Sequence, residues 1–233
     1  QMQSCVHDNA TIECALFEVD IPAPGDMEVM VKIEATPINP SDLGLMFGAA
    51  DMSSIRASER NGHPSIVLDV PQPAMRMMST RIGEWLPVGN EAAGTVVEAG
   101  SSDAAQALLG KRVALFGGEM YADYRTVSAF QCIPLSECAT PEQGASSFVN
   151  PMTALGFVET MKMEGHKAII HTAAASNLGQ MLNRICLTDG VPLVNIVRSP
   201  EQATLLRGQG AEHVIDSSAP NFAEALTDAV KVT

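Results

Sequence analysis

Residues 167–180 read KAIIHTAAASNLGQ, and no other stretch restricts the fold as much. Lys167 to His171 is a short apolar run of the buried-strand kind. A turn of small residues follows. Beyond it, Leu178, Met181, Leu182, Ile185 and Cys186 recur at i, i+3, i+4, i+7 and i+8, one face of a helix. Leu193 to Val197 is a second apolar strand, so the unit is a βαβ of ordinary length.

Such a turn puts free backbone N–H groups and the positive end of a helix dipole at one point, where an anion is stabilised. In dinucleotide-binding folds the pyrophosphate rests there, on a glycine fingerprint. Here Ala174, Ser176 and Gly179 occupy the fingerprint positions, with Ala175, Asn177 and Leu178 completing the candidate cradle. Only Gly179 keeps the glycine, and an ordinary βα turn fits the same residues. The end of the second strand adds to the signal. An acid there would bind a ribose 2′-hydroxyl, but this chain has Arg198 and then Ser199. A guanidinium beside a hydroxyl suits a 2′-phosphate, which points to NADP(H) over NAD(H). The alternative for Arg198 is a solvated loop charge.

The apolar fraction, 46% of 233 residues, supplies a proper core for one large or two small domains. No apolar run approaches a membrane span, and no export leader opens the chain. The net charge of −13 comes with no cluster of Lys or Arg, which argues against a nucleic-acid partner. The five cysteines are scattered, odd in number and without a C-x-x-C pair, the pattern of reduced thiols in the cytoplasm. The five histidines show no metal-ligand spacing, so no metal site is expected.

Residues 1–36 read as strands, with Ile12–Val19 and Glu28–Glu34 separated by the turn PAPGD. Val29, Val31 and Ile33 alternate as in a half-buried strand. Next comes INPSD, a polar loop in which Ser41 or Asp42 can cap a short helix. Residues 50–64 read as loop. Pro73 to Leu86 fits a helix carrying Met75, Met78, Ile82, Trp85 and Leu86 on one face, either core or a lid. Strands follow around 90–99, 110–116 and 120–127. Thr140-Pro141-Glu142 starts a helix that Asn150-Pro151 breaks, and Thr153 to Met163 forms another. After Arg198 come a helix at 200–207, a strand at 213–215 and a helix at 222–230. A β-rich opening before a βαβ half implies two domains of different class.

Taken in order, INPSD, GNEAAGTVVEAG, GKRVALFGG with MYADYRTV, VNPMTALG, the small-residue turn and QGAEHVID resemble one known group. It is the zinc-independent branch of the medium-chain dehydrogenase/reductase superfamily, the quinone oxidoreductases and 2-enoyl thioester reductases. The resemblance implies an α/β protein. A GroES-like β-barrel catalytic domain, residues 1–130 with an insertion at about 49–86, would precede a partial NADP(H)-binding Rossmann domain, residues 131–233, holding only the first βαβαβα half. It implies NADPH-dependent hydride transfer to a quinone or an α,β-unsaturated carbonyl or enoyl thioester, a small-molecule substrate, and a homodimeric parent. Asn39 and Thr153 would lie beside the nicotinamide; Ala174 to Gly179, Arg198 and Ser199 would hold the rest of the cofactor.

The departures carry information too. Zinc alcohol dehydrogenases of the superfamily have cysteine and histidine where this chain has Asn39 or its neighbours and Asn90, and amides are poor zinc ligands beside thiolate and imidazole. Zinc-dependent alcohol oxidation is therefore disfavoured. The tyrosine that enoyl thioester reductases carry after the INPSD-like loop is absent, and FGAAD stands there. That absence and the replaced glycines favour the other alternative, a non-catalytic relative of the same fold. The segment before GNEAAG is about 20 residues longer than usual, enough to be functional. The second half of the sheet is not among these residues, so this chain alone is expected to be inactive while its parent is an enzyme.

Overall fold

Val6 and Ile12, both fully buried, face each other across an antiparallel pair that begins the first sheet. The computed structural model describes residues 1–233. Strands β1 (Met2–His7), β2 (Thr11–Leu16) and β3 (Glu28–Ala35) lead to helix α1 (Pro40–Met46). Strands β4 (Asp51–Arg60) and β5 (His63–Asp69), the short helix α2 (Gln72–Met75) and strand β6 (Leu86–Pro87) follow. Then come β7 (Glu91–Ala99), α3 (Asp103–Gln106), β8 (Arg112–Phe116), β9 (Tyr124–Ser128), β10 (Cys132–Pro134) and α4 (Pro141–Ala145). The strands form two five-stranded sheets, ordered β4-β5-β2-β1-β6 and β10-β8-β7-β3-β9. Val29 and Val31 of β3 point into the second sheet's core with Val96, Val113 and Leu115, as their alternation requires. Each such side chain contributes about 1.5–3 kcal/mol by leaving water.

Two expectations for residues 49–86 fail. The stretch expected as loop is most of a hairpin, β4 and β5, which extends the first sheet. The stretch expected as one helix, 73–86, breaks into α2, a 3-10 turn at Ser79–Arg81 and the strand β6. Gly83 takes φ 81°, so a helix could not run through it. Met75 and Met78 still pack on the first core, with Val6, Ile12 and Leu68. Pairing with other strands overrode a helical spacing that was also compatible with a folded-over loop.

The chain divides into two compact units, Gln1–Phe148 and Val149–Thr233. The resemblance places the division at 130/131. Strand β10 pairs with β8, and α4 packs on β3, β7 and β8, so residues 132–145 sit with the first unit.

The second unit consists of α5 (Val149–Met163), β11 (Ile169–His171), α6 (Asn177–Asp189), β12 (Leu193–Val197), α7 (Pro200–Gly208), β13 (His213–Asp216) and α8 (Phe222–Val232). Its strands are parallel, in the order β11-β12-β13. Pro151 does not end a helix as expected; it sits in the first turn of α5, where a missing N–H loses no bond. On α6, Leu182 and Cys186 are buried against Ala154, Val158 and Leu193, with Met181 and Ile185 packed around them. No helix is long and apolar enough to cross a membrane.

Candidate active site

The first unit gathers polar groups around α1. Asn39 is its N-cap, in the extended conformation that a following proline enforces. The Asp42 carboxylate reaches back and accepts from the Asn39 backbone N–H at 2.7 Å. Its other oxygen accepts from Asn90 Nδ2 at 2.7 Å. Asn39 Nδ2 donates to Glu91 Oε1 at 2.8 Å, and the Phe148 N–H donates to Glu91 Oε2 at 3.1 Å. Phe148 is held there by its stack on Phe116, with centroids 3.8 Å apart.

Asp42 and Glu91 are almost fully buried, at 0% and 1% exposure. Buried carboxylates are costly unless donors satisfy them, and here amides do so. Tyr121 donates its hydroxyl to the Pro37 carbonyl at 2.8 Å, which ties down the loop ahead of Asn39. Burial, with Asp42 next in effect, pushes the Tyr121 hydroxyl well above the usual phenol range. The network contains neither thiolate nor imidazole. No three His, Cys, Asp or Glu side chains form a group that could hold a metal. A groove of about 660 Å³ opens beside the same loop, lined by Leu16, Phe17, Ile38, Met46, His63 and Tyr121 among others.

The second unit builds the turn expected at 172–176. Ser176 is the N-cap of α6, and its Oγ accepts from the Gly179 N–H at 3.1 Å. No protein group accepts from the N–H of Asn177 or Leu178. The Ala174 N–H donates to the Ile196 carbonyl at 3.1 Å, which fastens the turn to β12. Ala174 is fully buried. Ala173, not a fingerprint position, takes the left-handed conformation at φ 52°. At the end of β12, Arg198 is exposed and its backbone N–H donates to Gln202 Oε1. Ser199 caps α7, accepting from the Gln202 N–H at 3.4 Å.

The structure thus brings Ala174 to Gly179 together at one end of the parallel sheet, with Arg198 and Ser199 at the same end of the neighbouring strand. Asn39 belongs to the first unit. Thr153 belongs to the second, on α5, where its hydroxyl donates to the Val149 carbonyl at 2.6 Å. Glu91 was not singled out by the sequence, and Asn90 only as the residue standing where zinc alcohol dehydrogenases have histidine. The available signal was an acid directly ahead of the small-residue run AAGTVV, where a buried strand leaves a carboxylate needing donors.

An antiparallel barrel-type unit followed by the opening βαβαβα of a parallel sheet, with a helix N-terminus at the strands' carboxyl ends, defines the medium-chain dehydrogenase/reductase class. The model of the alcohol dehydrogenase GroES-like domain matches residues 25–171, and the chain belongs to that family. It is 28% identical over 207 residues to the mitochondrial enoyl-[acyl-carrier-protein] reductase of Xenopus tropicalis, covering 86% of this chain and 51% of that protein. It is 31% identical over 150 residues to the quinone oxidoreductase of Pseudomonas aeruginosa, covering 62% and 46%. Among solved structures, a Mesorhizobium loti protein assigned as an NADPH:quinone reductase aligns with a TM-score of 0.66 at 31% identity, over 91% of this chain and 55% of that one. Escherichia coli quinone oxidoreductase in complex with NADPH aligns at TM-score 0.68 and 19% identity, over 99% and 62%, a likeness of fold. The chain spans about half the length of the curated relatives it matches.

Proposed function

We propose that this chain binds NADPH and belongs to a metal-free reductase of quinones, enones or enoyl thioesters. Binding is proposed for the chain itself, and turnover for a protein of the relatives' length. The observation that carries the reading is the start of α6. The Asn177 and Leu178 N–H groups there lack protein acceptors, at the carboxyl end of a parallel sheet. That is where a diphosphate gains both donors and a favourable dipole. Gly179 also fits the group, because a side chain at 179 would push helix and turn apart.

When bound, NADPH supplies a hydride to an electron-poor carbon. The residues of the chain bind and orient. The α6 N-terminus takes the diphosphate, and Arg198 and the Ser199 hydroxyl face the 2′-phosphate and so select the phosphorylated cofactor. Asn39, fixed by Glu91 and Asp42, orients the nicotinamide end, and Thr153 takes part there. The apolar wall of the groove beside Ile38 receives the substrate and keeps water from it. Amides at 39 and 90 in place of thiolate and imidazole support the metal-free form of the reaction.

Titration of NADPH and NADH into the purified chain, followed by nicotinamide fluorescence, tests this. Tighter binding of NADPH is expected. Equal affinity would remove the role given to Arg198, and no binding of either would remove the reading as a whole.

A further inference from the structure

We propose that Asn183 and Asn195 are a positioning pair that fixes where α6 stands on the sheet, and with it the aim of the Asn177 and Leu178 N–H groups. The inference rests on the reading of the α6 N-terminus as the diphosphate site. Asn183 lies on α6 and Asn195 on β12, 2% and 0% exposed. Asn195 Nδ2 donates to Asn183 Oδ1 at 3.4 Å. Their surroundings are apolar. Leu193 and Val197, on the same face of β12 as Asn195, are buried, and so are Leu182 and Cys186 of α6. The other two amide atoms, Asn183 Nδ2 and Asn195 Oδ1, are buried with no partner in the protein.

Two half-used amides in an apolar layer are a poor means of stabilising a fold, because buried donors and acceptors without partners carry a desolvation penalty. They are a good means of fixing a position. The contacts of Leu182 and Cys186 are non-directional and let α6 roll or slide a little on the sheet. A hydrogen bond adds a distance and an angle. At 3.4 Å this one is near its limit. A slide of about 0.5 Å away breaks it and leaves both amides buried with no bond at all. Asn177 and Leu178 lie one to two turns ahead of Asn183 on the same helix, so whatever holds Asn183 holds their N–H groups. A binding constellation works only within about 0.5 Å of its best geometry, which is the tolerance the amide pair imposes.

Two variants move stability and position in opposite directions. Asn183→Leu with Asn195→Val replaces the pair by apolar side chains. It is expected to melt at or above the temperature of the parent. It is expected to bind NADPH about 10-fold more weakly, the scale of one lost hydrogen bond to a charged group. Inorganic pyrophosphate, which meets the diphosphate site alone, is expected to lose the same factor. Asn195→Asp keeps a hydrogen bond at the same place, because Asn183 turns its nitrogen to the carboxyl group, but it buries an acid. It is expected to melt below the parent and to keep the parent's affinity for pyrophosphate. In the cofactor-free chain, the backbone NMR signals of Asn177 and Leu178 are expected to shift or broaden in the double variant and to stay in place in Asn195→Asp. Those of α8 are expected to stay in place in both.

A double variant with the parent's affinity for pyrophosphate and unmoved Asn177 and Leu178 signals would overturn the inference, whatever its stability. Should the double variant not fold, Asn195→Asp reads the pair by itself, and displaced Asn177 and Leu178 signals in it would overturn the inference equally. A parent chain that binds neither NADPH nor pyrophosphate ends the functional reading, whereas the Asn177 and Leu178 signals still decide whether the two amides position the helix.

Discussion

Gly179 of α6 lies directly against the Ala174 main chain, so that a Cβ on residue 179 would overlap the Ala174 carbonyl. This one approach sets the height of the helix above the turn. It lets Ser176 reach the Gly179 N–H and keeps the Asn177 and Leu178 N–H groups at the open end of the sheet. The other fingerprint glycines can be lost to Ala174 and Ser176 because the left-handed residue is Ala173, one step earlier.

Gly179→Val is therefore expected to destabilise the second unit by about 1–3 kcal/mol, the usual effect of overpacking. The urea midpoint should fall, and NADPH binding should fall further than stability accounts for. A variant with unchanged midpoint and unchanged binding would show that the helix can lift at no cost.

Arg198 has no protein acceptor that its removal would orphan; it is exposed at the end of β12. Arg198→Ala is expected to leave thermal stability unchanged. It should weaken NADPH by about 10- to 100-fold, the range of a charge-assisted hydrogen bond, and NADH hardly at all. Competition between the two cofactors at fixed ionic strength reads the ratio. An equal loss for both would place Arg198 on the diphosphate instead of the 2′-phosphate.

Much of this architecture was legible because periodicity survives burial. Leu182 and Cys186 reach the core from the helical spacing, and Val29 and Val31 do so from alternation. The hairpin β4–β5 was not legible in the same way, because β4 is almost wholly exposed and has no apolar alternation to read. Its signal lay in the turn. Asn61 and Gly62 take φ 51° and 81°, the pair of positive values that a tight hairpin turn requires and that Asn-Gly supplies. The Glu91 contact was illegible for another reason. It joins residues 52 apart in sequence through side chains alone, and no local pattern marks it.

Gly62→Ala follows from that turn. Nothing crowds residue 62, so the effect is conformational only. A left-handed alanine costs about 1–2 kcal/mol, and the loss should appear as faster amide exchange in β4 and β5 with little change in β7 or β8. Uniformly faster exchange across the unit would mean that the hairpin is not a separate cooperative element.

Glu13 ties that hairpin to the sheet. Its side chain is 6% exposed and accepts from Arg60 at 3.1 and 2.6 Å, while His7 Nε2 lies 3.1 Å away. Arg60 in turn covers the Trp85 ring at 4.7 Å, a cation–π contact. Burial pushes the Glu13 carboxyl up, but the neighbouring donors, Arg60 first, then Ser65 and His7, together with the Arg60 charge, outweigh it and hold the group below its ordinary value of 4.5. For a depressed carboxyl, the stabilisation is complete above the unfolded value and is lost as pH falls through the folded one. Glu13→Gln should therefore cost about 1.5–3 kcal/mol at neutral pH. The difference between parent and variant should begin to shrink as pH falls through the ordinary carboxyl range and go on shrinking below it. Denaturant midpoints of both proteins across that range measure it. A difference that grows on acidification would mean that protonated Glu13 is the better partner, and that Arg60 does not latch the hairpin through charge.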